Sequence, residues 1–315
     1  MFISPAMVRE AASRITPLAR RTPVLTSPDL DARAGMNVYL KCENLQRGGA
    51  FKIRGASNLI LSLTPEQLRN GVVAFSSGNH AQATAIAAKY VGAPATIVMP
   101  EDAPRSKVEP TRAQGAKIVT YNRFTDDREA IAADLMKQTG GTLVPPYDHS
   151  MIMAGQGTAA LELMEDSPAL DALVICIGGG GLFSGCSTIA KDLRPDIRIF
   201  GVEPEQANDT WLSLEKGEPV TIAPPDTIAD GLRSPSPGRL TFPVIQKNAE
   251  KVLLVTEDEI RATMRFVMEK LHLVVEPSGA VALAAVLSGK MPAGIRSVGV
   301  VLSGGNVDFE FLKTL

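Results

Sequence analysis

The 315-residue sequence has few cysteines, few histidines and almost no excess of either charge. Its three cysteines, Cys42, Cys176 and Cys186, lack CxxC spacing, which argues against a disulfide framework or zinc site and predicts reduced, buried thiols. The net charge of −2 provides no basic field. Nucleic acid is therefore not an expected partner.

Membrane signals are missing as well. Residues 1–6 have neither the basic nor the apolar segment of a secretory signal, and no apolar run reaches the roughly 18 residues that a spanning helix needs. We therefore expect a cytoplasmic protein with no membrane partner. The hydrophobic content of 45% is enough for a core that needs no disulfide or structural metal.

Apolar runs alternate with amphipathic helical patterns along most of the chain. The runs are continuously apolar, which is typical of parallel strands whose two faces are covered by helices. The pattern predicts an α/β fold with open, mostly parallel, twisted sheets. The strand-like runs are residues 38–41, 72–75, 95–99, 117–120, 173–177, 198–202 and 298–302. The helical patterns are residues 81–91, 127–138, 157–165, 184–193, 257–270 and 280–287.

The domain organisation is predicted from a change of rhythm. Residues 72–120 carry their own strand–helix alternation, and the Pro-Pro-Tyr-Asp segment at residues 145–148 is typical of a rigid crossing between domains. We predict a small domain, residues 66–149, inserted into a large domain that comprises residues 1–65 and 150–315.

Four consecutive glycines follow the strand-like run 173–177 and precede a helical pattern. Their backbone N–H groups are free to converge on an anion, and the following helix adds its dipole. A flexible turn is the alternative, but turns rarely use four glycines between a strand and a helix. Leu182 and Phe183 break the GxGxxG spacing of dinucleotide sites, so the phosphate of a compact cofactor fits better.

Lys52 lies among apolar residues in the stretch 50–55. A surface lysine with a buried stem is the usual interpretation of such a position. A desolvated lysine with a lowered pKa can instead form a Schiff base with a carbonyl compound. The stretch alone favours the first interpretation and leaves the second open.

Two further polar loops follow strand-like runs. Residues 76–80 (Ser-Ser-Gly-Asn-His) suit either a carboxylate site at a helix start or simple N-capping, and the residues alone favour neither. Residues 303–306 (Ser-Gly-Gly-Asn) follow the last strand. Ligands of open α/β sheets bind at the carboxyl ends of strands, so three such loops together favour a binding site.

Six motifs resemble those of the serine/threonine dehydratase and serine racemase family, in matching order over nearly the whole chain. They are KCENLQ at 41–46, FKIRGA at 51–56, SSGNHAQ at 76–82, AGQGT at 154–158, GGGG at 178–181 and SGGN at 303–306. The resemblance implies the tryptophan-synthase-β fold, fold type II of pyridoxal-phosphate enzymes, with two sheets and a small domain inserted in a large one.

The resemblance also implies residue roles. Lys52 would form the Schiff base with pyridoxal 5′-phosphate and move protons at the substrate Cα, and Ser77 would act on the opposite face of Cα. The residues implied around the cofactor are Phe51 and Asn79 at the ring and its 3-hydroxyl, Gly178, Gly179, Gly180, Gly181 and Leu182 at the phosphate, Glu276 near the ring and Ser303 at the pyridine nitrogen. The residues implied around the amino-acid carboxylate are Ser76, Ser77, Asn79 and His80.

A cation loop and an arginine refine the resemblance. Glu203, Ala207 and Asp209 match the divalent-cation loop of racemase-like members and suit Mg²⁺, Mn²⁺ or Ca²⁺, although acidic loops are mostly solvated. Arg128 matches an arginine that meets a second acidic group of the substrate, but equally suits a solvated charge at a helix start. The family is usually dimeric, so a homodimer is expected.

The implied reaction is removal of water from a small-molecule substrate, a β-hydroxy amino acid such as serine, threonine or 3-hydroxyaspartate, giving a 2-oxo acid and ammonia. The neutral hydroxyl of Ser303 would make the cofactor a weak electron sink, which favours prompt β-elimination. Serine or aspartate racemisation is the alternative. A non-catalytic cofactor- or amino-acid-binding protein is a third possibility, against which the presence of Lys52, Ser77 and Ser303 argues.

Overall fold

The computed structural model describes residues 3–103, 105–122 and 124–315. It contains ten strands: β1 Val24–Leu25, β2 Asn37–Cys42, β3 Val72–Phe75, β4 Ala95–Pro100, β5 Lys117–Tyr121, β6 Thr142–Leu143, β7 Ala172–Cys176, β8 Arg198–Pro204, β9 Lys251–Val255 and β10 Ser297–Leu302. Its α-helices are α1 Pro5–Ile15, α2 Pro28–Ala34, α3 Lys52–Ile60, α4 Pro65–Asn70, α5 Asn79–Tyr90, α6 Arg105–Ala113, α7 Arg128–Thr139, α8 Ser150–Asp166, α9 Gly181–Leu193, α10 Asp209–Lys216, α11 Phe242–Asn248, α12 Glu257–Leu271, α13 Pro277–Leu287 and α14 Phe309–Leu312. Within the described residues, no helix is both long and apolar enough to cross a bilayer.

The larger sheet has six strands in the order β1-β2-β10-β7-β8-β9. All neighbours are parallel except the edge pair β1 and β2. Every residue of β7 is buried, because helices cover both faces of the sheet. The fully buried helix α13 packs against β7, β8 and β10, which explains why its sequence is apolar on all sides.

The smaller sheet has four parallel strands in the order β5-β4-β3-β6, all drawn from residues 72–143. The predicted α/β class with mostly parallel sheets is therefore confirmed. Three strands escaped prediction. Strands β1 and β6 have two residues each, too few to show a pattern, and β9 is the five-residue edge strand of the larger sheet.

A buried ionic cluster anchors helix α3, which begins at Lys52. The Arg54 guanidinium, fully buried, donates at 2.8 Å to each carboxylate oxygen of Glu43 and at 2.7 Å to each of Glu162. Lys41 pairs with the same Glu162 at 2.6 Å. Two cations and two anions thus balance inside the core, which offsets the cost of burying each of them. The cluster fixes the start of α3 relative to β2 and α8.

Candidate active site

The predicted loops converge where the strands of the larger sheet end. Strands β7 and β10 are parallel neighbours, so the glycine loop and the Ser303 loop leave the same edge side by side. The Lys52 segment joins them, because the Phe51 N–H donates to the Ser303 carbonyl at 3.0 Å and Ala50 bridges Gly304. The loop after β3 in the smaller sheet reaches the same place through Asn79.

The Lys52 amine is buried, and among the residues that the structure describes no carboxylate forms an ion pair with it. Its Nζ donates to the Pro146 carbonyl at 2.8 Å and lies 5.2 Å from the centre of the Phe51 ring. Burial lowers the pKa of Lys52 to about 8, and the neighbouring Cys176 and Glu276 oppose the shift only in part. A lysine with this pKa supplies neutral amine near physiological pH, as Schiff-base chemistry requires.

The glycine loop, residues 178–182, packs closely against Tyr147. A side chain on Gly181 would approach the Cβ and Cα of Tyr147 to 2.9 and 3.0 Å, and one on Gly179 would meet the tyrosine ring. Gly180 adopts a φ of +88°, where residues with a side chain are strained. The first N–H groups of α9 behind the loop have no acceptor within the helix and suit an anion. The loop therefore fits the phosphate of pyridoxal phosphate.

Three polar side chains from separate elements form a chain of hydrogen bonds. Asn79 donates through Nδ2 to Glu276 Oε1 at 2.7 Å and accepts through Oδ1 from Asn306 Nδ2 at 2.8 Å. Burial, with Asp230 nearby, raises the pKa of Glu276 to about 8, so this group is mostly protonated at neutral pH.

Ser303 is buried and its Oγ donates to the Ser278 carbonyl at 3.3 Å. Cys176, the last residue of β7, is buried as well. Burial raises the pKa of Cys176 to about 11, so the thiol is neutral. All three cysteines are buried and free, as predicted. The ring-nitrogen position implied for Ser303 is thus lined by neutral groups.

The carboxylate loop is only partly as expected. Ser76, Ser77 and Asn79 are half-buried at the start of α5, where helix N–H groups suit a carboxylate. The His80 ring, however, is buried, and its Nε2 donates to the Val144 carbonyl at 2.8 Å. That bond turns the ring toward the chain interior and leaves only the His80 backbone N–H for a substrate carboxylate.

Arg128 lies at the same edge of the smaller sheet. It is exposed at the first position of α7, with its guanidinium 5.3 Å from the centre of the Phe75 ring. Phe75 immediately precedes Ser76, so the Arg128 guanidinium lies beside the predicted carboxylate loop. The position is compatible with both interpretations given from the sequence.

The predicted cation loop contains two buried carboxylates. Glu203, at the end of β8, accepts from the N–H groups of Thr210 and Trp211 at 3.1 and 2.9 Å. Both carboxylate oxygens of Asp209 are buried without a hydrogen-bond partner in the described part of the chain. Burial and the neighbouring Asp209 raise the pKa of Glu203 well above its usual range. Uncompensated buried carboxylates fit a bound cation.

Only two carboxylates and a backbone carbonyl would serve as ligands from this loop. Over residues 3–103, 105–122 and 124–315 there is no cluster of three or more histidine, cysteine, aspartate or glutamate side chains able to hold a metal. The Ala207 residue, itself buried, belongs to a short 3-10 helix between the two acids.

Sequence reasoning missed Tyr147, the Pro146 carbonyl and the side chain of Asn306. A tyrosine between a proline pair and an aspartate carries no motif of its own, and a proline carbonyl carries none at all. Asn306 belonged to a recognised motif, but its contacts with Asn79 and Gly48 depend on long-range packing.

Comparison with known proteins agrees with this geometry. The family described as "Pyridoxal-phosphate dependent enzyme" matches residues 15–304. The chain is 49% identical over 308 residues to the L-threo-3-hydroxyaspartate ammonia-lyase of a Pseudomonas species, covering 98% of this chain and 97% of that protein. It is 44% identical over 303 residues to the serine racemase of Schizosaccharomyces pombe, covering 96% and 94%. The structure of maize serine racemase superposes with a TM-score of 0.96 at 42% identity, covering 100% of this chain and 97% of that one.

The chain therefore belongs to the family of pyridoxal-phosphate dependent enzymes. Within that family its fold is fold type II, and its relatives include both ammonia-lyases and racemases. The predicted family, fold and dependence on pyridoxal phosphate are confirmed.

Proposed function

We propose that the enzyme is an ammonia-lyase that removes water from a β-hydroxy amino acid and yields a 2-oxo acid and ammonia. The observation that carries the proposal is Lys52, a lysine with a lowered pKa. Its neighbour Phe51 is hydrogen-bonded to Ser303, and its amine contacts the Pro146 carbonyl, next to the tyrosine that packs against the glycine loop. Pyridoxal phosphate, when bound, supplies an electron sink for negative charge at the substrate Cα. The chain supplies the proton transfers and the orientation of the groups.

Each part of the site has a separate task in this proposal. Lys52 would hold the cofactor and take the Cα proton, while Phe51 would support the ring and Glu276 would lie near it. The glycine loop, residues 178–182, would bind the phosphate. Ser303 would offer a neutral hydroxyl to the pyridine nitrogen, and the bound cofactor would then be a weak electron sink that favours prompt loss of the β-hydroxyl.

We propose 3-hydroxyaspartate as the preferred substrate. Two relatives, at 49% and 48% identity, are named L-threo-3-hydroxyaspartate ammonia-lyase. Arg128 supports the choice, because a guanidinium beside the carboxylate loop can pair with the second carboxylate of an acidic substrate. Ser76, Ser77 and the first N–H groups of α5 would bind the first carboxylate.

A substrate panel tests this proposal. Serine, threonine and both diastereomers of 3-hydroxyaspartate are incubated with the holoenzyme, and 2-oxo acid is measured. Release of oxo acid from 3-hydroxyaspartate at the highest kcat/KM is expected, and Arg128→Ala should lower that value more for 3-hydroxyaspartate than for serine. Absence of oxo acid from every substrate would overturn the dehydratase assignment.

The covalent role of Lys52 is tested separately. Lys52→Ala should abolish both the visible absorbance of the bound cofactor and the activity. Lys89→Ala, which changes an exposed lysine on α5, is the matched control. Retention of the visible absorbance in Lys52→Ala would exclude Lys52 as the attachment point.

Racemisation is a second candidate, favoured by Ser77 and by the serine racemases among the relatives. If Ser77 lies across Cα from Lys52, the two residues can exchange protons with opposite faces of the substrate. Accumulation of D-serine or D-aspartate without oxo acid would make racemisation the main activity.

We also infer a divalent cation and a homodimer. Glu203, Asp209 and the Ala207 carbonyl would hold Mg²⁺, Mn²⁺ or Ca²⁺, which would satisfy the unpartnered oxygens of Asp209. Dimer formation is tested by light scattering, which should give twice the mass of one chain. A monomer with full activity would contradict it.

A further inference from the structure

Asn306 is the one polar side chain of the Ser303 loop that the proposed reaction leaves without a task. It is exposed, yet both hydrogens of its side-chain amide are used: Nδ2 donates to the Gly48 carbonyl at 2.7 Å and to Asn79 Oδ1 at 2.8 Å. Asn306 therefore contacts Asn79 directly, and Asn79 in turn donates to Glu276.

The direction of these hydrogen bonds is set by a backbone carbonyl. The Gly48 oxygen can only accept, so the Asn306 amide must turn its nitrogen toward it. The same nitrogen faces Asn79, where a second NH₂ group would be repelled, so Asn79 must present its oxygen there. The Asn79 nitrogen then faces Glu276 and cannot exchange places with its oxygen.

Gly49 makes this arrangement possible. Its φ of +72° is a conformation that favours glycine, and a side chain on it would overlap the Asn306 amide. The Gly305 N–H donates to the Gly49 carbonyl at 2.8 Å and closes the two loops on each other. The backbone of both loops thus holds the Asn306 amide in one orientation.

The consequence concerns the remaining hydrogen of Asn79. Its Nδ2 carries two hydrogens, and within the described chain Glu276 is the acceptor found for it. We propose that Asn306 is a positioning residue that fixes the Asn79 amide so that this second N–H is presented to the 3-hydroxyl oxygen of the cofactor ring. This inference rests on the proposed role of Asn79 at the cofactor.

Asn306→Asp distinguishes positioning from packing. The variant keeps the size of the side chain but replaces the donor by an acceptor, so Asn79 must invert its amide to donate to it. Inversion turns the Asn79 oxygen toward the ring oxygen, and the two repel each other. Cofactor affinity should fall on the order of ten- to a hundredfold, as for loss of a hydrogen bond to a charged group.

Asn306→Ala should cost less, about three- to tenfold, because Asn79 then remains free to choose either orientation. A role in packing alone predicts the opposite order, since alanine loses more contacts than the isosteric aspartate. Asn70→Asp, the same substitution at the exposed end of α4, is the control and should bind cofactor as the wild type does.

The decisive measurement compares two cofactors by reconstitution of the apoenzyme: pyridoxal phosphate and its 3-deoxy analogue, which lacks the ring hydroxyl. Affinity is followed by fluorescence and the bound form by visible absorbance, with thermal unfolding to confirm that each variant is folded. The penalty of Asn306→Asp should appear with pyridoxal phosphate and disappear with the analogue. If the aspartate variant does not fold, Asn306→Ala carries the same comparison.

An equal penalty with both cofactors, or no penalty, would overturn the positioning role. A wild type that binds no pyridoxal phosphate would instead overturn the proposed function, so the two failures are distinguishable.

Discussion

At the scale of single residues, Ser77 separates the two candidate activities. Proton transfer by a positioned side chain contributes about a hundredfold or more to a rate. Ser77→Ala should therefore lower racemisation of serine by about that factor and lower oxo-acid formation by less than about tenfold, because elimination needs only the Lys52 face. Chiral chromatography and an oxo-acid assay measure the two products. Equal losses of the two activities would show that Ser77 does not transfer a proton on the face of Cα opposite Lys52. Ser62→Ala, which lies remote from the loop, is the control.

The buried His80 ring should make the free energy of unfolding depend on pH. Burial and the nearby Lys52 lower its pKa from 6.5 to about 3. Between these values the unfolded chain binds more protons than the folded one, so the free energy of unfolding falls as the pH drops from 6.5 toward 3. His80→Gln, which can keep a donor toward Val144, should reduce that slope by up to about 1.4 kcal/mol per pH unit.

Urea unfolding of the holoenzyme at several pH values measures this slope. His272→Asn removes an exposed imidazole instead and is the comparison variant. An unchanged slope in His80→Gln would mean that His80 does not remain neutral in the folded enzyme.

At the scale of elements, the loop between β8 and α10 should respond to divalent cations. Mg²⁺, Mn²⁺ or Ca²⁺ at a hundred times its Kd should stabilise the wild type by about 2.7 kcal/mol, because it binds the folded state alone. Asp209→Asn should abolish this shift, and the metal-free variant should unfold at a higher temperature than the metal-free wild type, since one buried carboxylate is gone.

Differential scanning calorimetry after EDTA treatment tests both effects. Glu215→Gln on the exposed side of α10 should behave as the wild type, and a cation shift that survives in Asp209→Asn would place the site elsewhere.

The bounds of the strands and helices show how much of the fold could be predicted from the sequence. Strand β3 occupies residues 72–75 as predicted, and the predicted strand at 173–177 differs from β7 by one residue at each end, because continuous apolar runs report burial on both faces. Helix α8 begins seven residues before its predicted start at 157, since the N-cap is His149, whose side chain accepts from the Met151 N–H, and histidine is not a usual N-cap residue. The local pattern thus predicted the buried central strands, but it missed the two-residue strands, the edge strand β9 and a helix cap made by an unusual residue.

The site was predictable to the extent that it lies in motifs. Lys52, the glycine loop and Ser303 each follow a strand or precede a helix, so topology brings them together. The burial of the His80 ring was not predictable, because its acceptor, Val144, is 64 residues away and is brought next to it by the pairing of β3 with the two-residue strand β6. The same holds for Tyr147 against the glycine loop.

At the scale of the whole molecule, an ion pair links helix α6, which follows a strand of the smaller sheet, to a loop of the larger-sheet part of the chain. Lys107 on α6 pairs with Asp230, which belongs to the large sheet's loops; their side chains are 31% and 39% exposed. Such pairs contribute about 0–1 kcal/mol. If the pair helps to hold the two parts of the chain together around the substrate, Lys107→Ala should raise KM by at most about fivefold and leave kcat nearly unchanged.

Steady-state kinetics at low and high salt measure this effect, which salt should reduce in the wild type. Lys137→Ala removes a lysine paired only within α7 and is the control. A drop in kcat with unchanged KM would show that Lys107 acts on the chemical step instead of on closure.

The segment that crosses from the smaller sheet to α8 has a consequence for anyone who wishes to re-engineer the chain. This segment supplies three hydrogen-bond acceptors. The Val144 carbonyl accepts from the His80 ring, the Pro146 carbonyl accepts from the Lys52 amine, and the Asp148 carboxylate accepts from the N–H groups of residues 239–241. Insertions, affinity tags or new chain termini placed there would disturb the lysine itself, although the segment connects two separate sheets. The largely exposed, irregular stretch 219–226 is the better place to open a circular permutant.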